Sequence, residues 1–158
     1  MGPAAWSPDG SLLAAAAYAE KRGAPNGVFV IDPAKGTATK VSDLSPDSTL
    51  TWNAKGDSVL FAATRNGRSD VYQVPISGEE SEALTGSQPA GARNPAYSAE
   101  SDRLAFESDG QILVIDLVTR DREIARFGPV SGGFPLSWNP EGDQIAFVSA
   151  PNQIISYP

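Results

Sequence analysis

Residues 6–17 read WSPDGSLLAAAA, and three further segments align with them over twelve positions without a gap. They are residues 52–63 (WNAKGDSVLFAA), 97–108 (YSAESDRLAFES) and 138–149 (WNPEGDQIAFVS). In each segment an aromatic residue is followed by Ser or Asn, then by turn-forming residues, then by an apolar run. Turn residues between two apolar stretches are typical of a hairpin that joins antiparallel strands. The sequence therefore predicts the same hairpin four times.

Each hairpin is followed by stretches that predict two more strands. The apolar third-strand stretches are residues 27–32, 70–74, 111–116 and 153–157. More polar stretches at residues 37–41, 81–85 and 122–127 predict an outer strand, because polar residues protect the edge of a sheet from further pairing. The aromatic anchors recur every 41 to 46 residues. A four-stranded antiparallel unit of this length is typical of a β-propeller blade.

We therefore expect an all-β chain that forms one propeller domain over residues 1–158. The blades are expected at approximately 1–46, 47–91, 92–132 and 133–158, and the last of them lacks its outer strand. These are about 3.75 blades, at or below the lower limit of ~4 to 8 for a closed single-chain propeller. The favoured interpretation is a part of a larger propeller. Self-association into a homodimer is the next, because an open array would expose apolar faces between blades. A compact four-bladed ring is the third.

Composition excludes several classes of function. The 158 residues include 19 Asp and Glu against 12 Lys and Arg, a formal net charge of −7, and neither Cys nor His. An acidic chain repels phosphate backbones, so no nucleic acid partner is expected. Without Cys and His there is no thiolate nucleophile, no Ser-His-Asp triad and no Cys/His zinc site within the chain. We expect no catalytic residues, no metal and no cofactor.

Membrane insertion is not expected either. The most apolar run, residues 12–19, has eight residues, whereas a spanning helix needs ~20. No basic region precedes this run, so the sequence shows no signal peptide. The lack of Cys is compatible with a reducing cytosol and with an oxidising periplasm.

The repeat carries a family resemblance. WSPDG at residues 6–10, followed by Leu-Leu-Ala, is similar to the signature of TolB-like propellers, whose blades are called PD40 repeats and are related to WD40 blades. Residues 66–72 (NGRSDVY) and 83–85 (ALT) resemble the turn before the third strand and the ending of such a blade. Blade one departs from the pattern with Ala15 where Phe is usual, and blade three departs with Tyr97 and Ser101 for Trp and Gly. The resemblance implies a periplasmic or cell-envelope scaffold that binds a protein or peptide through its channel and loop face.

A second function has to be weighed with this one. Prolyl-oligopeptidase-like and tricorn-like peptidases carry similar blades that gate substrate access. The chain would then be the gating propeller of a prolyl-oligopeptidase-like or dipeptidyl-aminopeptidase-like serine peptidase whose catalytic domain is absent from this sequence. A carboxylate-based enzyme ranks last, because most acidic residues are predicted in peripheral turns.

Candidate binding residues lie just before the first strand of each blade, since these segments converge on the channel of a propeller. Arg93 and Asn94 could hold a carboxylate or a peptide end through charge-assisted hydrogen bonds. Pairing of Arg93 with a neighbouring Asp is an equally weighted alternative. The candidate set is Asp47, Ser48, Arg93, Asn94 and Phe134.

The aromatic anchors are predicted to be structural. They are Trp6, Trp52, Tyr97 and Trp138. Recurrence at one position of each blade favours packing between neighbouring sheets over ligand stacking. By the same argument, the acidic residues that recur in the turns are expected to stabilise those turns.

Overall fold

Four antiparallel sheets follow one another along the chain in the computed structural model, which describes residues 2–18, 26–86, 91–119, 125–130, 135–149 and 153–157. Sheet one contains β1 (Ala4–Trp6), β2 (Leu13–Ala17), β3 (Gly27–Asp32) and β4 (Thr37–Ser42). Sheet two contains β5 (Pro46–Trp52), β6 (Ser58–Arg65), β7 (Arg68–Pro75) and β8 (Glu82–Ala83). Sheet three contains β9 (Arg93–Ser98), β10 (Arg103–Ser108), β11 (Gln111–Asp116) and β12 (Ala125–Phe127). Sheet four contains β13 (Ser137–Trp138), β14 (Ile145–Ser149) and β15 (Gln153–Tyr157).

Within each sheet, every strand pairs with the next strand in the chain. The first strands of adjacent sheets also contact one another, so β1, β5, β9 and β13 form the inner edge of the array. Sheets that radiate in series from an inner edge are the blades of a β-propeller. The prediction of an all-β propeller of four-stranded antiparallel blades is confirmed. The described residues do not close into a ring.

The core lies between the blades. Three apolar clusters of the described residues join blade one to two, two to three, and three to four, and none joins blade four to blade one. Alternation along the strands makes this possible, because successive side chains point to opposite faces of a sheet. On β6, Val59 and Phe61 face blade one while Leu60 faces blade three. The middle strands of blade two are therefore apolar on both faces.

Side chains fix the hairpin turn that starts each blade. In blade two the Asn53 Oδ1 accepts the backbone N–H groups of Asp57 and Ser58, both at 3.1 Å. Asn139 does the same in blade four, and in blade one the Ser7 Oγ accepts the N–H of Leu12 at 2.9 Å. Short polar side chains bond local backbone in this way and favour turns. The Ser or Asn that follows each anchor in the sequence is therefore a turn residue.

In blade three a different position of the hairpin turn has the left-handed backbone conformation. Its glycine position holds Ser101, whereas the turns of blades two and four place Gly56 and Gly142 at a φ of 69°. In blade three the next residue, Asp102, takes the left-handed conformation with a φ of 49°. Asp is one of the few residues other than Gly that enter this region without large steric cost. The departure from the repeat pattern thus shifts the left-handed residue by one position.

No helix long and apolar enough to span a bilayer occurs in the part of the chain that the structure describes.

Candidate functional site

An open groove runs along the inner edge of blades two, three and four. Its volume is about 460 Å³. The strands β5, β9 and β13 and the turns that follow β9 and β13 form its walls. The lining includes Thr49, Thr51, Pro95, Tyr97, Leu136 and Trp138. The groove therefore offers hydroxyl groups, apolar surface and strand backbone side by side, which is the mixture that small-molecule and peptide sites use.

Arg93 lies at the start of β9, two residues before the groove-lining Pro95. Its side chain is exposed, and among the described residues it forms no ion pair or hydrogen bond. The described residues therefore do not show the predicted alternative, in which Arg93 pairs with a neighbouring Asp. An exposed guanidinium presents a planar fork of donors that matches a carboxylate.

Asn94 is held rigidly beside Arg93. It is only 6% exposed and has a φ of 47°, in the left-handed region. Its backbone N–H donates to the Ser48 Oγ at 3.1 Å, and its Nδ2 donates to the Glu107 Oε2 at 3.0 Å. Left-handed residues other than Gly cost about 1 kcal/mol or more and persist where the surroundings hold them. Two of the predicted site residues, Ser48 and Asn94, thus meet across blades two and three.

Asp47 is engaged within its own blade. Its Oδ2 accepts the Thr64 hydroxyl at 2.9 Å and lies 3.4 Å from the Ser69 Oγ. The Ser69 hydroxyl has a shorter contact, 3.0 Å, with the carbonyl oxygen of Ala92. These bonds connect the start of β5 to β6 and to the segment before β9. Phe134, the remaining predicted site residue, lies outside the described residues.

Two of the aromatic anchors cross from one blade to the next. The Trp52 Nε1 donates to the carbonyl oxygen of Ala5 at 2.9 Å, and the Trp138 Nε1 donates to that of Ala96 at 3.0 Å. Each acceptor immediately precedes the anchor of the preceding blade. The repeat therefore contains a donor and an acceptor that bind neighbouring blades to each other.

The other two anchors behave differently. Tyr97 has no indole N–H, and its hydroxyl donates to Asp102 in its own turn. Burial, together with this bond to Asp102, raises the pKa of Tyr97 to about 12. Trp6 is 57% exposed, because the described residues place no sheet before β1.

Blade two contains a buried polar network that the sequence pattern does not predict. The Arg68 Nε contacts the Asp70 Oδ2 at 2.8 Å, and the Thr85 hydroxyl donates to the Asp70 Oδ1 at 3.1 Å. The Val71 N–H donates in turn to the Thr85 Oγ1 at 2.9 Å. Asp70 and Thr85 are 4% and 0% exposed. The network ties β7 to the chain after β8, and its residues stand in the NGRSDVY and ALT stretches of the sequence.

Asp32 and Asp116 each stabilise a turn. Asp32 pairs with Lys35 at 2.7 Å, and this contact lowers the pKa of the Asp32 carboxyl. The Asp116 carboxylate accepts the N–H groups of Thr119 and Val118, and these bonds lower its pKa as well. Within the described ranges, no group of three or more acidic side chains is placed to hold a metal ion.

These features define the class of protein: a β-propeller whose inner strands line an open groove. No family model matches the sequence, and comparison with curated proteins finds no match. Solved structures do match. The chain is similar to TolB from Acinetobacter baumannii, with a TM-score of 0.81 and 17% identity over 98% of this chain and 40% of that one. It is also similar to a protein assigned as TolB from Agrobacterium tumefaciens, with a TM-score of 0.69 and 21% identity over 98% of this chain and 53% of that one.

A third similar structure is an oligogalacturonate lyase in complex with manganese, with a TM-score of 0.64 and 14% identity over 92% of this chain and 44% of that one. The chain spans only 40 to 53% of the length of these three structures. Its fold is that of a TolB-like β-propeller, as the repeat predicted. Because one fold hosts many functions, the function has to be argued from the groove itself.

Proposed function

We propose that this chain is a non-enzymatic propeller scaffold that binds a protein or peptide segment in the groove along β5, β9 and β13. The observation that carries the proposal is the exposed guanidinium of Arg93, which has no partner among the described residues and lies two positions before the groove-lining Pro95. An exposed cation next to backbone-rich walls suits an extended peptide that ends in a carboxylate. The rigid Asn94 fixes the backbone next to Arg93, which lowers the entropic cost of binding.

The chemistry of the chain supports binding rather than catalysis. The sequence contains neither His nor Cys, so an imidazole base and a thiolate nucleophile are absent from it. Of the predicted site residues, Asp47 is hydrogen-bonded to Thr64, and Ser48 accepts the N–H of Asn94. We place the scaffold in the periplasm or cell envelope, on the strength of the TolB-like repeat and fold.

The experiment uses a pool of synthetic hexapeptides with free C-terminal carboxylates, and the same pool amidated at the C-terminus. Binding is measured by NMR shifts of the backbone amides that line the groove. We expect shifts at Thr49, Thr51 and Tyr97 with the free acids, and much weaker shifts with the amides. Loss of a charge-assisted hydrogen bond costs ~1.5–3 kcal/mol, so Arg93→Ala should raise the dissociation constant roughly 10- to 100-fold.

Lys55→Ala is the matched control, because Lys55 is an exposed cation in the turn of blade two, away from the groove lining. It should leave the dissociation constant unchanged. Equal binding by the wild type and Arg93→Ala, or binding that shifts no groove amide, would contradict the proposed function.

A further inference from the structure

Within the described part of the chain, Glu100 is the only charged residue that lines the groove. It follows the end of β9 by two residues, and its side chain is exposed. Among the described residues its carboxylate forms no ion pair and no hydrogen bond. Two aromatic residues, Tyr97 and Trp138, line the same groove. A carboxylate and aromatic rings in one groove attract an ammonium or guanidinium group.

The backbone around Glu100 is held by the turn of blade four. Gly142 in that turn approaches so closely that a Cβ atom there would overlap the Ser98 Oγ and stand 3.2 Å from the Glu100 Cβ. Glycine is the residue that permits such an approach, because it has no Cβ atom. The Ser101 hydroxyl also donates to the Ser98 Oγ at 2.8 Å. The backbone that carries the Glu100 carboxylate is therefore ordered before a ligand binds, which lowers the entropic cost of binding.

Arg93 and Glu100 lie at opposite ends of β9. Arg93 is the first residue of this strand, whereas Glu100 comes after its last residue, Ser98. At ~3.3 Å per residue, six extended residues measure ~20 Å, and the left-handed Asn94 shortens that path. An extended peptide of about five or six residues spans the same distance. If its carboxylate lies at Arg93, the peptide runs antiparallel to β9 and its amino end reaches Glu100.

We propose that Glu100 determines the specificity of the groove by binding a positively charged group near the amino end of the peptide, a role that rests on the proposed function. Arg93 binds the carboxylate, and the two charges together set the direction of the peptide. The preferred partner is a segment with a free amine, a Lys or an Arg about five residues before its C-terminal carboxylate. A segment with an acidic residue there is rejected, because its carboxylate meets that of Glu100.

Three N-acetylated hexapeptides with free C-terminal carboxylates test the charge preference. They differ only in a first residue of Lys, Gln or Glu, and the other five residues are those of the tightest-binding member of the peptide pool. The Lys peptide should bind the wild type roughly 3- to 10-fold more tightly than the Gln peptide, and the Glu peptide should bind more weakly than both. Glu100→Gln should remove these differences. Glu80→Gln is the matched control and should preserve them, because Glu80 is exposed in the loop before β8 and does not line the groove.

A nitroxide attached to the amino end of the Lys peptide tests the direction. Paramagnetic broadening falls steeply with distance, so the label should broaden the backbone amide signals of Ala99 and Glu100 much more than that of Asn94. Stronger broadening of Asn94 would show that the peptide runs parallel to β9, and it would overturn the proposed role of Glu100.

The binding data separate this role of Glu100 from the proposed function. Equal affinities for the three peptides, or a preference for the Lys peptide that Glu100→Gln leaves intact, would overturn the role of Glu100. If the binding still depended on Arg93 and still shifted the groove amides, the proposed function would stand. If no member of the pool bound in the groove, or if Arg93→Ala bound as tightly as the wild type, the proposed function would fail and the role of Glu100 would fail with it.

Discussion

Trp6 and Trp52 hold the same position in the repeat but have opposite environments. Trp52 is buried between blades one and two and donates to Ala5, whereas Trp6 is mostly exposed. The local sequence is closely similar in the two blades, with an aromatic residue, a polar residue and a turn before an apolar strand. The difference therefore comes from the neighbouring sheet and not from the motif. A repeat motif encodes one half of a contact, and the adjacent blade supplies the other half.

The largest expected effect is a difference in stability between these two residues. Trp52→Ala should lower the free energy of unfolding by ~3–5 kcal/mol, because it empties a packed site and removes the bond to Ala5. Trp6→Ala should lower it by less than ~1 kcal/mol in the monomer, since a mostly exposed ring loses little contact. Denaturant unfolding at a protein concentration where both variants are monomeric measures the two values.

Similar losses for the two substitutions would show that Trp6 packs as tightly as Trp52. The comparison between the two faces of blade one would then be wrong.

A second comparison concerns the buried polar network of blade two and an exposed strand of blade one. The network of Arg68, Asp70 and Thr85 ties β7 to the residues after β8. Thr85→Val keeps the shape of the side chain but leaves the buried Val71 N–H without its acceptor. An unsatisfied buried donor costs ~1–3 kcal/mol, so the free energy of unfolding should fall by about that amount.

Thr39→Val on the exposed strand β4 is the matched control, and it should change the free energy of unfolding by less than ~0.5 kcal/mol. Equal effects at the two positions would mean that the Thr85 hydroxyl contributes nothing specific to blade two.

The parts of this architecture that the sequence predicted are those that depend on local pattern. Residues 52–63 contain their own turn signal and their own alternation, so a hairpin follows from them alone. The bond from Trp52 to Ala5 spans 47 residues, and the meeting of Ser48 with Asn94 spans 46. Contacts of that kind depend on how blades stack. The recurring spacing indicated that blades exist, but not which polar side chains would meet between them.

The sequence pattern does not predict the partners of the Asp47 and Arg68 side chains. The position of Asp47 before a predicted first strand makes it a candidate binding residue, yet Thr64 on the next strand of its own blade donates to it. Arg68 follows a turn and has no apolar neighbour in sequence, although it reaches the buried Asp70. Whether a polar side chain is hydrogen-bonded depends on its cross-strand neighbours, and the strand register determines those neighbours.

The smallest expected effect concerns pH, and it distinguishes the turn of blade one from that of blade two. In blade two the uncharged amide of Asn53 accepts the backbone N–H groups of the turn. In blade one the Asp9 carboxylate accepts the Ser11 N–H at 3.0 Å, and it also accepts the Ser7 hydroxyl at 2.6 Å. These bonds, the one from Ser7 first, lower the pKa of Asp9 to about 2. An unfolded Asp titrates near ~3.9, so the carboxylate stabilises the fold above that pH and the contribution is lost as pH falls towards 2.

Asp9→Asn should therefore be slightly less stable than the wild type near neutral pH, by less than the loss expected for Thr85→Val. The difference should shrink below pH ~4 and disappear as the pH falls through ~2, where the wild-type carboxyl becomes protonated in the folded chain. The carbon-13 shift of the Asp9 carboxyl, followed by NMR from neutral pH downwards, measures the pKa directly. A midpoint near ~3.9 in the folded chain would mean that Ser7 and Ser11 do not hold the carboxylate. The turns of blades one and two would then differ in sequence but not in their response to acid.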